Sequence, residues 1–402
     1  MSNTLLTIDM ITKEALRLAH EKATFIGTIN RQFDDSFGET GAKIGDTLRI
    51  RIPSQYSRRQ GSRVMDVQDS AQQSTALTVA TQDGVDMRFN SRELALDLDE
   101  FSKLHLEPAM ATLVSNIDSD VLQGCTKSTF NFAGTAGTSI SSLTVPGQAR
   151  TRLNENLAPK GDRRIQVNSG TMQQIVSGTA AYFNPSGAIS EQWREGLVAR
   201  TAMADYYENE RVWSMANTTS VTLSTAKMNG YISTAGQTSL NISLLTVSSA
   251  GIGMKFTLAN VFDVHPETKQ QYAQLKQFTI VGVTDVSTYT ISPAVYISGA
   301  RQNVAGSGTS TSTQGLTWLG SPNSTYALGL MYHKDAFTFA TAALPLMADA
   351  SKCVRKTYDG LSLRVWQASD IRNDELLTRV DILYGHAVLR PEHACVLVGA
   401  AA

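Results

Sequence analysis

Gly41-Ala-Lys-Ile-Gly-Asp-Thr-Leu-Arg-Ile-Arg-Ile-Pro53 is the stretch on which the reading of this chain turns. Leu48, Ile50 and Ile52 alternate with Arg49 and Arg51, the period-two pattern of a strand with one wet face. Gly45-Asp46 supplies a turn ahead of it. A polar tip, residues 54–63, should follow, with the return arm of the hairpin inside residues 64–78. Upstream, Ile8, Ile11, Ala15, Leu18 and Ala19 fall near helical spacing. A helical arm that runs into a long basic hairpin before any compact core is expected to reach toward another molecule.

Beyond the hairpin, Leu77 and Val79 alternate into Asp83-Gly84, and Val85, Met87 and Phe89 follow. Asp-Gly between alternating apolar residues predicts a second hairpin, because its turn needs positive φ. Residues 94–124 form the longest helical stretch, with Met110, Leu113, Val114, Ile117 and Val121 on one stripe. Pro108 should bend that helix, divide it, or start its second part. Helices are expected near 147–157 and 171–177, a strand at 164–168, and a hairpin across Asp359-Gly360.

From residue 214 to 322 there are eight charged residues in 109 positions: Lys227, Lys255, Asp263, Glu267, Lys269, Lys276, Asp285 and Arg301. Short alternating runs at 220–223, 242–247, 254–258, 278–283 and 288–291 suggest a small β-barrel or sandwich. Mixed α+β character resumes afterwards, so the all-β unit reads as an insertion, which succeeds at exposed loop tips.

At 402 residues the chain exceeds one usual hydrophobic core, and two or more compact units are expected. A 42% hydrophobic fraction excludes wholesale disorder. No apolar run is long enough to span a membrane as a helix, and residues 1–10 lack the pattern of a secretion signal. The expected location is therefore the cytosol in which the chain is made. Cys125, Cys353 and Cys395 are odd in number and far apart, which suggests reduced, buried thiols. A net charge of -1 disfavours wrapping nucleic acid by bulk electrostatics.

An enzyme needs a constellation of groups, and none is legible. His20, His105, His265, His333, His386 and His393 have no metal-ligand spacing, and GxSxG, Walker and GxGxxG patterns are absent. No cofactor or metal is expected. Charge says more. Residues 40–64 hold six basic residues (Lys43, Arg49, Arg51, Arg58, Arg59, Arg63) and one acid. Residues 83–107 hold seven acids and three bases, with Asp97, Asp99 and Glu100 near the start of the long helix.

Taken in order, these segments resemble the major capsid proteins of tailed bacteriophages, in particular the phage P-twenty-two-like coat family. The arm and Gly-Asp hairpin are similar to that family's N-terminal arm and extended loop. The helix at 94–124 resembles its spine. The run from Phe256 to Lys269 with Gln277-Phe-Thr-Ile280 resembles the core of its inserted domain, and Lys334-Asp-Ala-Phe337, Tyr384-Gly385 and Arg390-Pro391 its closing segments. The resemblance implies an α+β, Hong Kong 97-type capsid fold with a telokin-like, all-β insertion. The implied division is an arm (1–39), an extended loop (40–76), a peripheral domain (77–140 and 375–402), an axial domain (141–212 and 323–374) and an inserted domain (213–322).

The resemblance further implies hexamers and pentamers on an icosahedral shell, a scaffolding protein, a portal, and expansion as double-stranded DNA is packaged. In such shells the extended loop lies over a neighbour's spine region. Arg49, Arg51, Arg58, Arg59 and Arg63 would then face Asp97, Asp99 and Glu100 of the next copy, and Pro108 would be a hinge. In the family a charged loop of the insertion crosses two-fold contacts; here its counterpart, residues 229–238, carries no charge. Two readings from other classes stand beside this one. One is a β-rich structural or binding module, secreted, at a cell surface or of a phage, the other a capsid-linked protease or other enzyme.

Overall fold

A computed structural model describes residues 8–31, 47–58, 61, 73–90, 102–179, 204–217, 227–229, 235–243, 251–285, 287–306, 313–321, 323–347, 352–358, 360–370 and 375–401. They divide into two compact units: Met1–Ile50, Ser74–Val121 and Phe337–Leu389 in one, and Arg51–Gln73, Leu122–Ala336 and Arg390–Ala402 in the other. The turn expected at Gly45-Asp46 lies outside the described residues. Strands β1 (Thr47–Ile52) and β2 (Gln73–Thr78) pair as a two-stranded sheet.

In the first unit, the arm helix Ile8–Lys22 buries Ile11, Ala15, Leu16, Leu18 and Ala19. It lies on strands β17 (Lys352–Tyr358) and β18 (Leu361–Asp370). The sequence suggested an arm reaching outward, but its apolar stripe is satisfied within its own chain. The following turn is clamped to the long helix, Glu107–Ser128. Asp118 Oδ1 accepts the backbone N–H groups of Phe25 and Ile26, each at 2.9 Å. A buried carboxylate thus takes donors that a tight turn leaves free.

The sheet of this unit is built around β19 (Glu375–Val388). Strand β3 (Thr81–Asn90) pairs along one edge of it, while β18 and then β16 (Phe337–Ala342) follow along the other. Here the second expectation fails: β3 runs straight through Asp83-Gly84 without turning. Gly84 is opposite Asp381, which in turn is opposite Arg364, a three-strand row. Arg364 donates to Asp381 at 2.6 Å in a buried pair. A Cβ on Gly84 would sit 2.5 Å from Asp381 Oδ1 and 2.8 Å from Val380 O. That glycine makes room for the ion pair. Asp359-Gly360 behaves as expected: Tyr358 pairs with Leu361 across it and Gly360 has φ +76°.

The second unit holds a six-stranded sheet in the order β4 (Phe132–Ala133), β20 (Ala394–Ala401), β15 (Thr325–His333), β5 (Arg163–Val167), β6 (Asp205–Glu208), with β7 (Ser214–Ala216) also on β15. The helices Thr144–Glu155 and Ser169–Thr179 match the two expected ones, and Ala149, Leu153, Ile165, Ile175, Met331 and Leu397 share a core.

The low-charge segment closes on itself. Strands β8 (Lys227–Asn229), β9 (Gln237–Ser243), β10 (Lys255–Val264), β11 (Gln271–Val283), β12 (Thr288–Val295) and β14 (Thr313–Trp318) form an antiparallel ring, and β13 (Val304–Ala305) hangs on β10. Closure removes sheet edges. Inside it, Phe256 stacks on Phe278 at 5.6 Å and meets Trp318 edge-on at 5.4 Å. The two stems of this barrel meet: Ala216 pairs with Thr325 and Ser214 with Ala327.

Candidate assembly surfaces

Alternation on β1 leaves Arg49 and Arg51 exposed on one face of the hairpin, and Arg58 is exposed in the segment beyond it. Tyr56, at 61% exposure, is the aromatic residue beside them. Arg59 and Arg63 lie outside the described residues, as do Asp97, Asp99 and Glu100.

Three of the seven acids in the run before and at the start of the long helix are matched within the chain. Asp86 takes a two-pronged ion pair from Arg379, at 2.7 and 2.9 Å, which holds its carboxyl below the usual range. Asp83 accepts the Tyr384 hydroxyl at 3.0 Å, Arg88 reaches Glu375 at 3.2 Å, and Lys22 reaches Glu107 at 3.1 Å. A count of charges along the sequence could not see these cross-strand partners.

Pro108 is the second residue of the long helix, directly after a widened π-turn at Ser102–Leu106. The helical run is continuous from Ser102, so the missing N–H of Pro108 falls inside it and not in a free first turn. The π-turn ahead of it is a departure from regular helix that often marks a functional site.

His265 and His333 act as local structural groups. His265 Nδ1 accepts the N–H groups of Glu267 and Thr268, and His333 Nδ1 accepts that of Asp335. His333 and His393 face each other edge-on at 6.3 Å, and burial lowers the pKa of both, His393 to about 4. Cys125 and Cys395 are buried thiols whose pKa burial raises; Cys353 is half-buried. Among the described residues, no group of three or more His, Cys, Asp or Glu is arranged to hold a metal, and no helix is long and apolar enough to cross a membrane.

The arrangement is one of surfaces: an exposed basic hairpin, a long helix, a long sheet and an inserted barrel. A chain of Mycobacterium phage Che8 superposes on this one with a TM-score of 0.50 at 10% identity, covering 93% of this chain and 90% of that chain. The capsid of Ralstonia phage GP4 follows at TM-score 0.47 and 8% identity (94% and 89% covered), and that of cyanophage P-SCSP1u at 0.45 and 11% (90% and 86%). No curated protein matches. The likeness to the Che8 chain shows a mixed α+β chain of the Hong Kong 97-type capsid fold. A family model described as P22 coat protein, gene protein 5, matches residues 38–399, and the chain belongs to that family.

Proposed function

We propose that this chain is the major coat subunit of a phage procapsid, assembled in the host bacterial cytoplasm as hexamers and pentamers around a scaffolding protein. The reading is carried by the extent of the family match, residues 38–399. The shell holds a portal, encloses double-stranded DNA without reading its sequence, and expands on maturation. Its subunits do their work by association and carry no catalytic activity.

Within the subunit the proposed division is an arm (1–39), an extended loop (40–76), a peripheral domain (77–140 and 375–402), an axial domain (141–212 and 323–374) and an inserted domain (213–322), the last of telokin-like type. Arg49, Arg51, Arg58, Arg59 and Arg63 of the loop dock on Asp97, Asp99 and Glu100 of a neighbour. Opposite charge on two such faces guides encounter and register more than it adds raw affinity.

Negative-stain electron microscopy of the chain expressed in bacteria, with and without a candidate scaffolding protein, is the test. Closed shells with scaffold and aberrant spirals without it are expected. A discrete monomer or dimer under every condition overturns the reading and favours a β-rich binding module.

A further inference from the structure

The barrel segment is nearly uncharged, yet three of its eight charged side chains are buried: Lys255 at 1% exposure, Lys276 at 4% and Asp263 at 5%. Burying a charged or polar group is costly unless it is hydrogen-bonded. Lys276 and Asp263 bond to each other, whereas Lys255 bonds to the end of the long helix. Lys255 Nζ donates to the carbonyl of Thr126, at 3.2 Å, and to that of Thr129. The last carbonyls of a helix have no partner within it, and here an amine from β10 supplies one.

Neighbouring side chains of β11 extend the same seam. The Thr279 hydroxyl donates to Lys127 O at 3.0 Å. The Gln277 side-chain amide makes a two-way pair with the Phe132 backbone, accepting at 2.9 Å and donating at 3.0 Å. Lys276 lies over the Phe130 ring at 5.1 Å while bonded to Asp263 at 2.8 Å. Gly253 completes the fit, since a Cβ there would sit 2.7 Å from Lys127 Cγ and 2.9 Å from the Trp213 ring.

We propose that the barrel is the C-terminal cap of the long helix, and that this seam, with Lys255 at its centre, makes the helix end and the barrel open and move as one body. A closed barrel with its own aromatic core does not need a lysine that bonds outside it in order to fold, whereas the helix terminus has carbonyls that need donors. The device is a coupling: motion of the helix end is passed to the barrel, and the reverse. An apolar side chain could fill the same space, but only hydrogen bonds fix which turn of the helix is gripped.

Burial lowers the Lys255 amine to about 7, and in its neutral form it still has two N–H groups for two carbonyls. The charged and titratable groups around the seam are Cys395 on β20, whose thiol is raised to about 12, the Arg152–Glu155 pair, the Lys276–Asp263 pair, and Glu392, raised by burial.

Hydrogen exchange on the full-length, unassembled subunit tests the coupling. In wild type, amides of residues 122–132 and of β10–β11 should share one opening rate. Lys255→Met should speed exchange at 122–132 by about ten-fold or more, the scale expected when buried hydrogen bonds are lost, while β10–β12 stay protected. Exchange at 122–132 that stays within about two-fold of wild type overturns the proposal. Should Lys255→Met fail to fold, Thr279→Val carries the test, because it removes one bond of the seam and buries no new charge. Faster exchange confined to 122–132 supports the coupling, and unchanged exchange overturns it.

Discussion

Gly84 is the residue whose role a linear reading misjudges most. In sequence it belongs to an Asp-Gly turn; in the sheet it is the gap that admits Asp381. Because Arg364 holds that carboxylate at 2.6 Å, the side chain cannot swing away from a new methyl group. Gly84→Ala should therefore destabilise the unassembled subunit by about 1–3 kcal/mol, the range for overpacking a filled site. A urea midpoint unchanged from wild type would refute this.

His393 carries a pH prediction. Burial first, then Arg390 and His333, lower its pKa to about 4, with Asp335 opposing. The unfolded chain binds its proton near pH 6.5, well before the folded one does. This contribution to stability is thus complete above 6.5 and is lost as pH falls from 6.5 through 4. The ring has no hydrogen-bond partner at Nδ1, so His393→Phe should leave neutral-pH stability close to wild type. It should also flatten part of the fall in Tm measured between pH 7 and 4.5.

Among the elements, local pattern and long-range partners divide the labour. The long helix from Ser102 onward, the barrel strands at 254–258, 278–283 and 288–291 and the Asp359-Gly360 hairpin were legible because periodicity and turn chemistry are local signals. The straight course of β3 was not, since it follows from a row with Asp381 and Arg364, nearly three hundred residues away in sequence. Nor was the clamp between Asp118 and the arm. The candidate site was half legible. Alternation marked Arg49 and Arg51 as the wet face of β1, but the acidic run lost Asp83 and Asp86 to partners that only the sheet supplies. The buried lysines did leave a trace, as charges kept in a segment that has few.

The junction at Pro108 makes a prediction at this scale. If it is the proposed hinge, Pro108→Ala should move the temperature of shell expansion while the Tm of the free subunit barely changes. If Pro108 is no hinge, the substitution should leave expansion where it was.

For the whole molecule, function is association, and its electrostatics can be titrated. Replacing Arg49, Arg51 and Arg58 by Glu should slow assembly and weaken its dependence on salt, because guidance by exposed charge is screened within a Debye length. Light-scattering traces that respond to salt as wild type does would remove the hairpin from the docking step.

The meeting of the barrel's stems at Ala216 and Thr325 has a consequence for engineering and for descent. Chain enters and leaves through directly opposed residues of two antiparallel strands, whose Cα atoms lie only about 5 Å apart. A short turn could therefore bridge them, and an unrelated domain with neighbouring termini could be spliced in at the same place. A lineage of shells could thus exchange this module freely, provided that whatever fills the socket also brings a donor for the helix end that Lys255 now grips.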